Sequence, residues 1–229
     1  MAAPWLTGST ANESETGMLG GVDISEWNAI TDYGALARAI DFAWVKCTDA
    51  RLLNGVWVPF VDHKHEEHVL GIRAGGKPTG DYAFGHPSMD PLVHADFFVS
   101  HAWFDQLRPV IDMESTLANN RTPPNAGPWA LAWIDRVTAN TGTRAIIYAG
   151  PYYSADMLRQ CPELGAEDLW LAEYPGLHAQ PDHVPNAPKG WAGRVVGWQW
   201  SGSEHMAGVF GNVDRDVAPS LDALMVTVG

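Results

Sequence analysis

Eight short apolar runs recur along this chain, and their rhythm limits the folds open to it. They span residues 19–25, 42–47, 81–84, 108–114, 144–148, 169–174, 194–200 and 211–217. Each has strand length, and several are rich in Val, Ile, Tyr and Trp. Phe42-Ala43-Trp44-Val45-Lys46-Cys47 is almost continuously apolar, as a strand covered on both faces must be. The first five runs are each followed by a stretch that fits a helix. These are residues 33–40, a segment of mixed polarity from about 59 to 74, then 90–106, 129–138 and about 154–160. Their ends carry helix punctuation: Gly75-Gly76 as a stop, Asp90 as N-cap with Pro91 behind it, and Gly142 as a stop. The last three runs have no such partner. Residues 48–59 and 117–128 read as loops. Residues 174–193, rich in Pro, Gly and His, read as a long one. Alternating strands and helices predict a parallel sheet, and eight strands predict its closure. The expected fold is therefore α/β, a modified TIM-like (β/α) barrel of eight strands with helices missing in the C-terminal part. It occupies residues 19–229 as a single domain behind a flexible arm at 1–18, which is small, polar and aperiodic.

A barrel of this kind carries its active site at the C-terminal ends of the strands. The fourth run, Arg108-Pro109-Val110-Ile111-Asp112-Met113-Glu114, ends in two carboxylates two residues apart. On a strand both point to one face. Like charges sharing a site raise one pKa, which suits a pair in which one acid keeps a proton and the other stays charged. The bland alternative is a strand end whose acids are solvated or paired with Arg. Asp23 falls near the end of the first run and Asp214 within the last, so four acids converge on one rim. Acid-assisted cleavage of a glycosidic bond needs such carboxylates.

Other signals narrow the class. A net charge of -13 argues against binding nucleic acid or anionic membranes through bulk electrostatics. The opening MAAPWLTGSTANESETG has neither a basic start nor an apolar run, so no Sec signal is read there, and no stretch suits membrane insertion. Two cysteines are too few for a disulfide framework. Cys47 reads as a buried free thiol, and whether it reaches Cys161 is open. His63-Lys64-His65-Glu66-Glu67-His68 looks metal-like, but its order is wrong for H-E-x-x-H and a solvated helix face is the better reading. No metal and no cofactor is expected. Asn120-Arg121-Thr122 matches a glycosylation sequon, relevant only in a secretory pathway. No P-loop, dinucleotide fingerprint or nucleophile elbow occurs.

The motifs resemble glycoside hydrolase family 25, the Chalaropsis-type muramidases also common as phage endolysins. The matching pieces run in the family's order from about residue 20 to the C-terminus. They are Gly21-Val22-Asp23-Ile24-Ser25-Glu26-Trp27, Val45-Lys46-Cys47-Thr48, Gly80-Asp81-Tyr82-Ala83-Phe84 and Ile111-Asp112-Met113-Glu114, then Ile147-Tyr148, Leu169-Trp170-Leu171-Ala172-Glu173-Tyr174, Trp198-Gln199-Trp200 and Val213-Asp214. The resemblance implies cleavage of the β-1,4 bond between N-acetylmuramic acid and N-acetylglucosamine. It implies Glu114 as the catalytic acid, Asp112 as its partner, and Asp23 and Asp214 as the other acids of the site. Tyr82, Tyr148, Trp170, Tyr174 and Gln199 match positions that line the sugar groove. Two departures stand out: Ala83 where the family often has His, with His86 three residues on, and Lys46-Cys47-Thr48-Asp49-Ala50 in place of Lys-Ala-Thr-Glu-Gly.

In this reading Glu114 protonates the leaving oxygen. The second role falls to Asp112 or Asp214, or to the substrate's own N-acetyl group. Trp27, Tyr82, Trp170 and Trp200 would supply stacking surface, while Trp44 and Trp133 read as core. The expected partner is the peptidoglycan glycan strand, met by a monomer that reaches the wall as a phage endolysin or lysin catalytic domain, released by a helper such as a holin. The alternatives are a non-catalytic wall-binding barrel, which predicts loss of one of the four acids, and a glycosidase acting on another amino-sugar polymer such as chitin.

Overall fold

The computed structural model describes residues 17–115, 121–177 and 179–226. The arm expected at 1–18 therefore lies outside the described residues up to residue 16, as does Asn120 of the sequon. In chain order the elements are β1 (Leu19–Ile24), β2 (Ala29–Ile30), α1 (Tyr33–Ala39), β3 (Phe42–Leu53), β4 (Val56–Val61), α2 (His65–Ala74), β5 (Thr79–Phe84) and α3 (Pro91–Val99). There follow β6 (Val110–Asp112), α4 (Ala126–Thr141), β7 (Ile146–Ala149), α5 (Pro151–Gln160), a 3-10 turn (Pro162–Ala166), β8 (Leu169–Ala172), β9 (Val195–Glu204), β10 (Val209–Phe210) and β11 (Val213–Ala218).

Eight strands close into a barrel. β1, β3, β5, β6, β7, β8 and β9 lie side by side and parallel. β11 fills the gap between β9 and β1 and is antiparallel to both. The expectation of an all-parallel sheet fails at this strand, and the reason is chain length. A parallel crossover needs about a dozen residues or more, and the short connection from Glu204 to Val213 allows only a hairpin return. Among the described residues, five α-helices follow the first five barrel strands and none follows the last three. A two-stranded ribbon of β2 and β10 sits apart.

Residues 48–59 are the second correction. They form no loop: β3 runs on to Leu53, turns at Asn54-Gly55 and returns as β4. Both turn residues have positive φ, 51° and 81°, which is the Asn-Gly geometry of a tight hairpin. The helix expected over 90–106 is shorter. Asp90 caps it through the backbone N–H groups of Leu92 and Val93, and it ends at Val99. The chain then turns so that the Trp103 N–H donates to Asp81 Oδ2 at 2.6 Å.

Strand alternation divides the apolar residues into layers. Phe42, Trp44, Tyr82, Val110, Ile146, Tyr148 and Trp170 point inward and fill the barrel. Trp44 stacks on Trp170 with centroids 4.2 Å apart. Two inward glycines make room for these rings. A methyl at Gly21 would lie 2.3 Å from Phe42, and one at Gly80 would lie 2.8 Å from Trp44. The outward residues pack beneath the helices: Val22, Ile24, Ala43 and Val45 under α1 and α2, and Ile111, Met113, Ile147 and Leu171 with Trp129, Trp133 and Ile134 of α4. Trp44 and Trp133 are fully buried, as expected of core residues. Among the described residues no helix is long and apolar enough to cross a membrane.

Candidate active site

The inward alternation that places rings in the barrel's middle places polar groups at its rim. Asp23 is near the end of β1, Asp112 is the last residue of β6, and Glu114 follows it. Asp214 is near the start of β11. Because β11 runs the other way, that start lies at the same rim, with Asp214 paired opposite Asp23. A cleft of about 290 Å³ opens there. Its walls contain ten of the residues singled out from the sequence, all but Trp200: Asp23, Trp27, Tyr82, Asp112, Glu114, Tyr148, Trp170, Tyr174, Gln199 and Asp214. They also contain Ser25, Lys46, Asp49 and Phe84, which were not singled out.

The acids sit in graded environments. Asp112 is buried, and its Oδ1 has no hydrogen-bond partner among the described residues. Burial first, then the charges of Glu114 and Asp23, push its pKa well up, with Lys46 opposing. Asp23 is raised likewise, by burial and then by Asp214. Gln199 holds it by donating from Nε2 to Asp23 Oδ2 at 2.6 Å. The amide's other end accepts from Tyr148 Oη at 2.8 Å and from Tyr174 Oη, which fixes which way the amide points. Asp214 is half-buried and raised by desolvation to about 6. Glu114 is exposed to solvent at the cleft mouth yet flanked closely enough that desolvation, then the Asp214 charge, raises its pKa. Solvent screens this shift in the free enzyme, and a bound glycan would strengthen it by excluding water.

Lys46, the one cation lining the cleft among the described residues, stands 3.2 Å from Asp49, 3.7 Å from Asp62 and 3.8 Å from Glu26. Burial would raise the pKa of Asp49, but the His86 hydrogen bond and the Lys46 charge outweigh it and hold the carboxyl low. His86 Nε2 lies 2.8 Å from Asp49 Oδ1, under the Trp57 ring of β4. His86 thus supports a cleft residue without lining the cleft. Ala83 faces outward into the helix-side core, so that departure from the family pattern lies behind the cleft wall. Trp170 is 2% exposed with Trp44 stacked on it, which makes it the cleft's floor instead of a stacking platform. Trp200, expected as stacking surface, is buried outside the barrel beside Met18, Trp198 and Val217. The open aromatic faces are Trp27, 83% exposed, and Tyr174, 57% exposed.

Two further readings are corrected. The segment from His63 to His68 is a solvated face only in part. His65 and His68 share the inner side of α2 with Val69 and Ile72, while Glu66, Glu67 and His63, the last against Glu26, are exposed. Asp216 was missed, although the rule that pairs Asp112 with Glu114 also pairs it with Asp214. It is wholly buried, and its Oδ1 accepts from Trp170 Nε1 at 2.9 Å. Burial first, then Asp23 and Asp214, raise its pKa well above the ordinary range. A folded-state pKa raised in this way gives stability that is complete below the unfolded value of about 3.9 and is lost as pH rises through the folded one. Asp216→Asn keeps the acceptor for Trp170 and removes the titration. The variant should melt higher than wild type, by roughly 2–8 °C near pH 8, with the gap closing near pH 4. Thermal melts at the two pH values check this.

An eight-stranded barrel with acids gathered at one rim, under a groove edged by aromatic side chains, is the layout of a glycoside hydrolase. The comparisons agree: the chain belongs to the glycosyl hydrolases family 25, whose family model matches residues 22–209. It is 26% identical over 206 residues to the uncharacterized protein YegX of Escherichia coli K12, covering 86% of this chain and 68% of that one. It is 23% identical over 219 residues to Lysozyme M1 of Streptomyces globisporus, covering 90% and 70%. The spore cortex lytic enzyme SleM of Clostridium perfringens superimposes with a TM-score of 0.76 at 25% identity, covering 93% of this chain and 71% of that one.

Proposed function

We propose that this glycosidase is a peptidoglycan N-acetylmuramidase, cutting the β-1,4 bond between N-acetylmuramic acid and N-acetylglucosamine. The observation that carries the reading is the set of acids held in different environments within one cleft. Glu114, at the mouth and raised in pKa, keeps a proton for the leaving oxygen. Asp214, half-buried with a pKa of about 6, ionises across the same opening and supplies negative charge for the oxocarbenium-like centre. Gln199 keeps Asp23 in place, and Trp27 and Tyr174 offer the faces on which sugar rings stack. Relatives that bear the names lysozyme and cortex lytic enzyme support the wall polymer as substrate. A non-catalytic wall binder would have no need of this set of acids.

Release of new reducing ends from purified peptidoglycan tests the reading, with chitin as the competing polymer. Activity on peptidoglycan should follow a bell-shaped pH profile. Its two limbs should report the coupled titration of Asp214, raised to about 6, and Glu114, also raised, since one acid must be ionised while the other holds a proton. Chitin cleaved in preference to peptidoglycan would reject the substrate assignment.

A further inference from the structure

Behind the cleft, on the outward faces of the strands that carry Lys46 and Tyr82, three metal-ligating side chains converge. Cys47 lies on β3 where its pairing with β5 skips a residue, Asp81 lies on β5, and His65 opens α2. Cys47 Sγ, His65 Nε2 and Asp81 Oδ1 all lie within 4.8 Å of one another. The three residues are 0%, 4% and 2% exposed. His65 Nε2 and Asp81 Oδ1 come within 3.0 Å, close enough for an ion pair. Their mutual direction is nevertheless wrong for a hydrogen bond, and neither atom has another hydrogen-bond partner among the described residues. Buried polar atoms are rarely left in this state, because the desolvation cost goes uncompensated. The other oxygen of Asp81 accepts from the Trp103 N–H at 2.6 Å, which fixes the carboxylate with Oδ1 towards His65. The Trp103 ring packs edge-on against the imidazole.

We propose that Cys47, His65 and Asp81 form a buried binding site for a divalent transition-metal cation of the zinc class. A thiolate, an imidazole and a carboxylate make a donor set that zinc accepts, whereas calcium and magnesium take oxygen ligands. The charges suit a buried site, since thiolate and carboxylate together neutralise a doubly charged cation. Burial first, then the Asp81 and Asp62 charges, push the Cys47 thiol up, so it is protonated without metal and yields its proton on binding. The ion would tie the start of α2 to β3 and β5 directly behind the cleft wall. A second trio, Glu26, Asp62 and His63, is less buried and already engaged with Lys46 or with itself. It lacks the unpartnered atoms of the first.

The test is titration of the chelator-treated, full-length protein with cobalt(II), followed by displacement with zinc. One equivalent of cobalt should bind and give a thiolate-to-metal charge-transfer absorption, which zinc then removes. Zinc in about hundredfold excess over its Kd should raise the melting temperature by roughly 5–10 °C. Cys47→Ala, shown to be folded by circular dichroism, should lose the absorption, and Asp81→Asn, likewise folded, should bind at least ~10-fold more weakly, while Cys161→Ala should keep both absorption and affinity. No charge-transfer absorption from the wild type, or binding that survives Cys47→Ala and Asp81→Asn, would overturn the site and leave a buried ion pair beside a thiol.

Discussion

Glu114→Gln is expected to cut the rate of glycan cleavage by roughly 10²–10⁴-fold while leaving the melting temperature almost unchanged. The two halves of this expectation come from one fact: Glu114 stands at the cleft mouth, open to solvent, and takes no part in the packed core. Glutamine matches its shape but cannot protonate a leaving oxygen. The neighbouring acids cannot take over from where they are. Asp112 is buried at the end of β6, Asp23 is tied to Gln199, and Asp214 ionises near the pH at which the enzyme would work. Turnover of a soluble wall fragment and a thermal melt, run on the same preparation, check both halves. A variant that unfolds early would move Glu114 from chemistry to structure.

Lys46→Met should have the largest effect on stability. Methionine fills much of the same space, so the change reads out charge. The ammonium is buried and lies within 4 Å of carboxylates on Glu26, Asp49 and Asp62. Removing one member of such a buried group leaves its partners uncompensated, at a cost of about 3–5 kcal/mol. In a domain of this size that lowers the melting temperature by roughly 6–20 °C. The deficit should depend on pH in a definite direction. The pKa of Asp49 is lowered in the fold, so its stabilising contribution is present above the ordinary carboxylate range and is lost as pH falls through the folded value. Wild type and variant should therefore converge in acid. Activity should fall as well, because Lys46 is the cation that opposes the upward shift of Asp112.

The barrel was legible in the sequence because its strands are short, apolar and spaced by helices, which leaves one simple way to bury both faces. The period of two then placed Asp112 and Glu114 on one side, and the strand-end rule brought Asp23 to the same rim. The failures have equally local causes. The direction of β11 follows from a connection too short to cross the sheet, a length constraint that a pattern of strands does not express. The β3–β4 hairpin was announced by Asn54-Gly55, but Val56–Val61 includes Pro59 and reads poorly as a strand, since it is an arm paired on one side only. Lys46 and Asp49 were not read as cleft residues because a charged residue in an apolar run looks like an interruption until its partners are known. Trp170 and Trp200 show the limit of composition: an aromatic ring that packs and one that meets a sugar have the same letter. His65 was misjudged because its burial depends on Asp81, sixteen residues away and on another element.

The measurement that reaches the central claim most directly is the identity of the new chain end. Purified peptidoglycan is digested with wild type and with Glu114→Gln, the products are reduced with borohydride, and the sugars are analysed. The account predicts reduced muramic acid from the wild type and none above background from the variant. Reduced glucosamine at the new ends would place the cut at the other bond and contradict it.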